Sequence, residues 1–360
     1  TQRPMQEHRE GGWVYDGPAA SRLWEKSAIG VIIDDGKLLM HDCEVIFCHS
    51  HRGVDLPDST NGGKSEVWIV DRVRRNPRLL EESAILEALR VPGNKIVLSE
   101  NAESMGFDCS GSWALRWSSD THPSKNEPVS EVLWYHANDE FSTPGESDYS
   151  VLCRLLNWSE SVSQKGRIAE VLVIDDEQSV VTYRLHEANP KGRMMAPSSR
   201  ILRNIANMES VNQGRNGTFY PDITKWPSDT IGIPSHGGRQ VDNIEQEIIE
   251  SAKAGNVQFS ESAKILLDLW DRGLNMRSGF KYGTTWRCYP GEVGDGHAPW
   301  LVVDPTIEGP ENWAEACLSS RLASGVNKQW LYPIFHETGL RYLEISRPPS
   351  DSRWSNPIRR

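Results

Sequence analysis

Three side chains near the C-terminal end, Tyr289, His297 and Lys328, are of types that can do chemistry together. A phenol, an imidazole and an amine suit cleavage of RNA without a metal. The ribose 2′-OH attacks its own phosphate if a base takes its proton and an acid protonates the departing 5′-oxygen. Histidine is the natural general acid near neutrality. A lysine ammonium can stabilise the extra negative charge on the pentacoordinate phosphorus. Tyrosine is a reluctant base, because a free phenol titrates near about 10. Two roles stay open for it: base, or orienter of the 2′-OH.

The surrounding residues predict the elements that would hold these groups. Trp286 to Tyr289 reads as a strand stopped by Pro290. A glycine-rich loop, Gly291 to Gly296, follows, and His297 opens a second strand over 300–303. Tyr289 and His297 therefore face each other across one loop. Ala314 to Leu322 reads as a helix, and Lys328 stands where the chain enters the next strand. That strand, 330–335, and its successor, 340–345, flank the turn His336-Glu337-Thr338-Gly339 as a hairpin.

A weak internal repeat runs through the chain. Glu81-Glu82-Ser83-Ala84-Ile85-Leu86 resembles Glu261-Ser262-Ala263-Lys264-Ile265-Leu266, each opening a helical apolar pattern, the second behind Ser260 as N-cap. Gly279 and Trp286 stand the same 173 residues after Gly106 and Trp113. An earlier hairpin, 171–174 with 180–185, carries the acidic tip Asp175-Asp176-Glu177. Pro190, Gly192 and Pro197 mark a boundary, and 212–238 reads as an irregular excursion. The expected fold is α+β in two tandem repeats, each a small α/β N-terminal part followed by a mixed-sheet domain. Residues 1–195 form the first and 196–360 the second, with the catalytic sheet from about 272. At the shared offset Arg116 stands opposite Tyr289, and the first repeat has no histidine at the start of its strand 129–135, only His136 at the far end. The first repeat is read as catalytically inactive and structural.

At 360 residues the chain is long for a single core, which agrees with two units. Fourteen Trp against seven Phe suggest large rings at domain or subunit contacts. No apolar run approaches the roughly 18 residues of a membrane helix, and the polar start Thr1 to Glu10 lacks a signal-peptide core; a cytoplasmic protein is expected. The six cysteines form no CxxC pair and are expected to be reduced. His41, Cys43, Cys48, His49 and His51 are ligand types that zinc accepts. The intervening Glu44-Val45-Ile46-Phe47 reads instead as a strand that sends alternate side chains apart. A net charge of −11 speaks against a wholly nucleic-acid-coated surface, and any basic site must be local. Arg72-Val73-Arg74-Arg75 is one such cluster, read first as a solvated face.

The run Gly279-Phe280-Lys281-Tyr282-Gly283, then Tyr289, His297-Ala298, Arg321-Leu322-Ala323 and Val326-Asn327-Lys328, resembles the catalytic domain of archaeal and eukaryotic tRNA-splicing endonucleases. The blocks cover about a fifth of the chain and fall in the family's order. Thr284-Thr285-Trp286 departs from the small-Asp-Phe usual there. The resemblance implies Tyr289 as base, His297 as acid and Lys328 as transition-state stabiliser. It implies no cofactor or metal, and products with a 2′,3′-cyclic phosphate and a 5′-hydroxyl. It also implies precursor tRNA as substrate, cut at both intron–exon junctions of a bulge-helix-bulge, with Arg321 stacking on an unpaired base and Arg341 a weaker candidate for its partner. The tandem form implies a homodimer in which Asp175-Asp176-Glu177 docks on the partner chain. Two other readings compete. One is a non-catalytic RNA-binding or structural subunit of a splicing endonuclease complex, which the retention of all three groups opposes. The other is a metal-dependent nuclease, which needs clustered carboxylates that 279–328 does not offer.

Overall fold

The computed structural model describes residues 5–57, 65–109, 111–142, 149–222 and 224–357; Thr1 to Pro4 of the polar start lie outside the described residues. Ten strands form one continuous sheet. The first five are β1 (Lys95–Leu98), β2 (Ala114–Trp117), β3 (Ser130–His136), β4 (Ile168–Ile174) and β5 (Val180–Ala188). The second five are β6 (Asn275–Ser278), β7 (Trp286–Tyr289), β8 (Trp300–Val302), β9 (Gln329–His336) and β10 (Gly339–Ser346). Their order across the sheet is β6-β7-β8-β9-β10-β5-β4-β3-β2-β1, so the two halves mirror each other about the β10–β5 seam. In each half only the β3–β4 or β8–β9 contact is parallel, because a helix crosses between those strands.

Those crossover helices are α2 (Tyr149–Gln164) and, in the second unit, α4 (Trp313–Gly325). Asn312 caps α4 by accepting from the Glu315 amide at 3.0 Å. Both helices bury their apolar stripes on one shared core that includes Leu155, Leu156 and Val171 of the first unit with Leu301, Trp313 and Ile334 of the second. Trp313 stacks on Tyr135 with centroids 4.4 Å apart, which places a tryptophan at the inter-unit contact as its abundance suggested. The opposite sheet face is covered separately in each half, by α1 (Leu79–Arg90) and by α3 (Glu261–Asp271). Ser260 does cap α3, accepting from the Ala263 amide at 3.2 Å.

Each unit also begins with a small four-stranded antiparallel sheet and a helix. The second of these corrects the reading of 212–238 as irregular: the order is Val211–Asn212, Thr218–Pro221, Gly238–Val241, Ile233–Ser235. Its strands are two to four residues long, too short for an alternating pattern to register. The segment Glu44 to Phe47 is likewise not a strand but part of the helix Asp42–Arg52, closed by Gly53 in the left-handed region and opened by Glu44, whose carboxylate accepts the His41 amide at 3.0 Å. Its ligand-type residues diverge: His41 meets Asn101, His51 meets Glu87, His49 meets the Val54 carbonyl, and Cys43 and Cys48 are buried. Among the described residues no three His, Cys, Asp or Glu side chains are placed to share an ion. The basic run is neutralised in part, Arg72 by Asp42 and Glu7 and Arg75 by Asp71. No helix among the described residues is long and apolar enough to cross a membrane.

Register corrects one equivalence. Lys95 pairs with Trp117 and Arg116 with Ser130 in the first unit; Asn275 pairs with Tyr289 and Cys288 with Trp300 in the second. Trp117, not Arg116, therefore occupies the place of Tyr289. The 173-residue offset slips by one within this strand, and Arg116 points to the other face, into a buried ion pair with Glu170.

Candidate active site

The site is built at one end of three neighbouring strands. Cys288 of β7 pairs with Trp300 of β8, which pairs with Gln329 of β9. One residue further out along the same row stand Tyr289, Pro299 and Lys328. With strands about 4.8 Å apart, the Tyr289 and Lys328 backbones are about 10 Å from each other. The Gln329 amide donates to the Pro299 carbonyl at 2.9 Å, and the Lys328 ammonium donates to the Ala298 carbonyl. Lys328 is thereby tied to the residue that follows His297. The same ammonium lies 5.4 Å from the centre of the Tyr282 ring, a cation–π contact within the Gly-Phe-Lys-Tyr-Gly turn.

His297 lies on the loop between β7 and β8, three residues before the strand Trp300–Val302 rather than at its first residue. Its side chain is exposed and has no hydrogen-bond partner among the described residues. Tyr289 is buried but for its outer edge, with the Arg287 guanidinium 5.7 Å from its ring centre. Thr285, where the family's acid was expected, does structural work of its own. Its hydroxyl donates to Glu308 at 2.6 Å and accepts the Asp304 amide at 2.8 Å.

Arg321 is exposed on α4 and makes no ion pair among the described residues. Arg341 is not available in that way. It donates to Glu187 at 2.7 Å and to Glu160 at 3.0 Å, and those bonds push its guanidinium pKa above the ordinary arginine value. Arg341 is thus engaged at the β10–β5 seam, whereas Arg321 is not paired in this way.

Sequence reasoning missed a cavity of about 380 Å³ beside Tyr289, lined by Asp229, Arg239, Asn275, Arg277, Glu292 and Val293. Asn275 pairs across the ladder with Tyr289, and Glu292 and Val293 belong to the loop that ends at His297. Arg277 gives one nitrogen to Asn275 Oδ1 at 2.8 Å and to the Met276 carbonyl at 2.7 Å. Among the described residues neither Arg239 nor Arg277 has a carboxylate within ion-pair distance. Burial holds both guanidinium groups below the usual arginine range; Asp229 and then Glu245 pull the other way for Arg239, and Glu245 does so for Arg277. No local motif announces the pair, since the two arginines lie on different sheets and meet only in three dimensions.

At the tip of the first unit's hairpin, Asp175 Oδ1 accepts the amides of Glu177 and Ser179 at 3.0 and 2.8 Å. Asp175, Asp176 and Glu177 are all exposed, with Asp176 also 3.3 Å from His136. The Asp175 carboxylate thus fixes the turn, which leaves Asp176 and Glu177 exposed at its tip.

The region that holds these residues is similar to known proteins. The family described as tRNA intron endonuclease, catalytic C-terminal domain, matches residues 259–342. A tRNA-splicing endonuclease of Thermoplasma volcanium is 27% identical over 174 residues, 48% of this chain and 53% of the relative. Others come from Picrophilus torridus, 25% identical over 54% of this chain and 60% of the relative, and Hyperthermus butylicus, 30% identical over 31% and 59%. The chain thus spans a little over half the length of the curated relatives it matches.

Proposed function

We propose that this chain is a tRNA-splicing endonuclease that cuts precursor tRNA at both intron–exon junctions, since residues 259–342 match the tRNA intron endonuclease catalytic domain family. The observation that carries this reading is the placement of Tyr289 and Lys328 at the same end of β7 and β9, the two strands that flank β8, with His297 on the loop between β7 and β8.

Tyr289 takes the proton from the 2′-OH, or aligns that group for attack, as the O2′–P bond forms. Lys328 neutralises part of the added charge on phosphorus. The P–O5′ bond then breaks, and His297 delivers the proton to the departing 5′-oxygen. The products are a 2′,3′-cyclic phosphate and a 5′-hydroxyl, and the step requires no metal. The substrate is a bulge-helix-bulge RNA, read by shape, because A-form duplex hides its base edges while bulged bases can be splayed out. Arg321 stacks on one such base.

The active assembly is a homodimer, which gives two sites for two junctions. In it Asp175-Asp176-Glu177 of one chain enters the Arg239–Arg277 cavity of its partner. Charge complementarity supports this pairing: the exposed Asp176 and Glu177 on one unit match two guanidinium groups on the other that have no carboxylate within ion-pair distance among the described residues, in a cavity that Asp229 and Glu292 also line.

Incubation with a bulge-helix-bulge RNA in excess EDTA, followed by end-group analysis, tests the function. Cyclic phosphate at both junctions is expected. Binding without cutting would favour a non-catalytic subunit, and cutting only with added divalent metal would overturn the mechanism.

A further inference from the structure

The segment that joins the two units is bonded to the catalytic loop. The Arg193 amide donates to the Pro290 carbonyl at 2.8 Å, and Pro290 directly follows Tyr289. On either side, the Gly192 amide donates to Arg272 and the Met194 amide to Gly273, each at 2.9 Å. The Arg193 guanidinium then reaches along the loop to Asp295, at 2.9 Å, two residues before His297. The linker therefore holds the loop at Pro290, just before its glycine-rich stretch, and again at Asp295, near the end of that stretch.

The loop needs such support. Gly291, Gly294 and Gly296 give it wide conformational freedom. Its own backbone supplies little order: among the described residues the internal bond is Asp295 amide to Glu292 carbonyl, at 3.3 Å. Packing against the linker is close. A Cβ on Gly192 would fall 2.1 Å from the Gly273 carbonyl oxygen and 2.7 Å from that of Pro290. A Cβ on Gly291 would fall 2.8 Å from the Arg193 guanidinium. Gly192 is thus required by the approach of one backbone to another, whereas a side chain at Gly291 would have to displace only the Arg193 guanidinium.

We propose that Gly192 and Arg193 are positioning residues for the cleavage reaction: the linker leaving the inactive unit sets the loop that presents His297 to the scissile phosphate. The inference rests on the reading of His297 as the acid. It gives the first unit a part in catalysis without any reacting group of its own. Misplacement of a reacting group by about 1 Å can cost on the order of 100-fold in rate. The Arg193–Asp295 pair is well exposed, 71% and 55%, so its own contribution is small and the backbone bonds carry more.

The test uses the full-length protein and two readouts, single-turnover cleavage of a bulge-helix-bulge RNA and amide hydrogen exchange over 291–297. Gly192→Ala is expected to lower the cleavage rate at saturation by about 10-fold or more, leave RNA affinity within about twofold, and speed exchange in the loop. Arg193→Ala and Asp295→Ala are each expected to cost a few-fold, with the double variant no worse than either single one. Should Gly192→Ala fail to fold, this exposed pair still decides the matter. Unchanged loop exchange in the variants, or strictly additive losses for the pair, would overturn the proposal. Failure of the wild-type protein to cut would instead remove the functional reading, while the exchange data would still report whether the linker orders the loop.

Discussion

Lys328 and Arg167 stand at one and the same point of their two units. Each precedes the strand that pairs in parallel with its neighbour, and each donates its amide to the carbonyl five residues back, Ala323 or Val162. The next residue in each case donates to its neighbour strand, Gln329 to Pro299 and Ile168 to Val129. Counting back two from those acceptors sets Glu127 against His297, and register sets Trp117 against Tyr289. The phenol, imidazole and amine of the second unit are thus an indole, a carboxylate and a guanidinium in the first. Glu127 and Arg167 spend their charges on each other, 3.3 Å apart, and Arg167 also bonds the buried Glu131 at 2.8 Å. An ion-paired cluster fills the place of the proposed reactive one.

His297→Ala should therefore silence the whole chain, since the first unit has no acid to substitute. A loss of about 10²- to 10⁴-fold in single-turnover rate is expected for removal of a general acid. RNA affinity should stay within about twofold and the melting temperature should not move, because the imidazole is exposed and unbonded among the described residues. Cleavage at the wild-type rate would show that another group protonates the 5′-oxygen.

Lys328→Met should cost about 10²- to 10³-fold in rate, the scale for losing one electrostatic donor to a transition state. Lys328→Arg should recover only part of this, because a planar fork replaces a point charge that also bonds the Ala298 carbonyl. Saturating single-turnover rates with matched RNA affinities separate this from a simple binding defect. Equal loss in affinity and none in saturated rate would reassign Lys328 to ground-state binding.

How much of this was legible beforehand follows from how local each signal is. The β9–β10 hairpin, the helix cap at Ser260 and the strand ending at Tyr289 all rest on neighbours in sequence, and each was read correctly. The continuous sheet was not readable, because β10 meets β5 through residues some 160 apart, such as Glu344 with His186. Nor was the Arg239–Arg277 cavity, whose walls come from two sheets. The segment around Val45 misled because apolar residues in a row satisfy strand and helix alike; the flanking Glu44 cap and Gly53 stop decide for helix. A one-residue slip misplaced Arg116, since alternation sends neighbours to opposite faces and similarity by offset cannot see which face a residue takes.

Charge removal at the proposed docking tip should dissociate the proposed dimer with the fold intact. Asp176→Asn with Glu177→Gln is expected to raise the dimer dissociation constant at least about 10-fold by sedimentation equilibrium, consistent with roughly 1.4 kcal/mol or more for desolvated charge pairs. Arg277→Gln should do the same from the other side, and combining the changes should add little. Rising salt should mimic the substitutions. A wild-type monomer that cuts both junctions would refute the dimer.

Arg321 and Arg341 should separate cleanly when replaced by alanine. Arg321→Ala is expected to weaken RNA binding by about 1–3 kcal/mol, the range for one stacked base, with unchanged thermal stability. Arg341→Ala should leave RNA affinity alone and destabilise the protein by about 2 kcal/mol, as two carboxylates lose a charged donor. Paired measurements of RNA dissociation constant and urea midpoint test both halves. The reverse assignment would return Arg341 to the base clamp.

The seam between the units should weaken as the solution becomes more alkaline. His186 of β5 faces Glu344 of β10 directly across the ladder, Nε2 to Oε2 2.7 Å, and Glu344 is buried. The hydrogen bond to Glu344 raises the His186 pKa above its free value near 6.5, with burial opposing. The folded state therefore holds the proton more tightly than the unfolded chain does. The resulting stabilisation is complete below about pH 6.5 and is lost as pH rises through the higher folded value, where a neutral imidazole leaves Glu344 without its counter-charge. Half exposure of the imidazole limits the effect to at most about 1 kcal/mol. Urea midpoints of wild type and His186→Gln, measured from mildly acidic to mildly alkaline buffer, should differ most at the acidic end and converge at the alkaline end. A gap that widens with pH would mean that His186 is held neutral in the seam and that Glu344 is balanced from elsewhere.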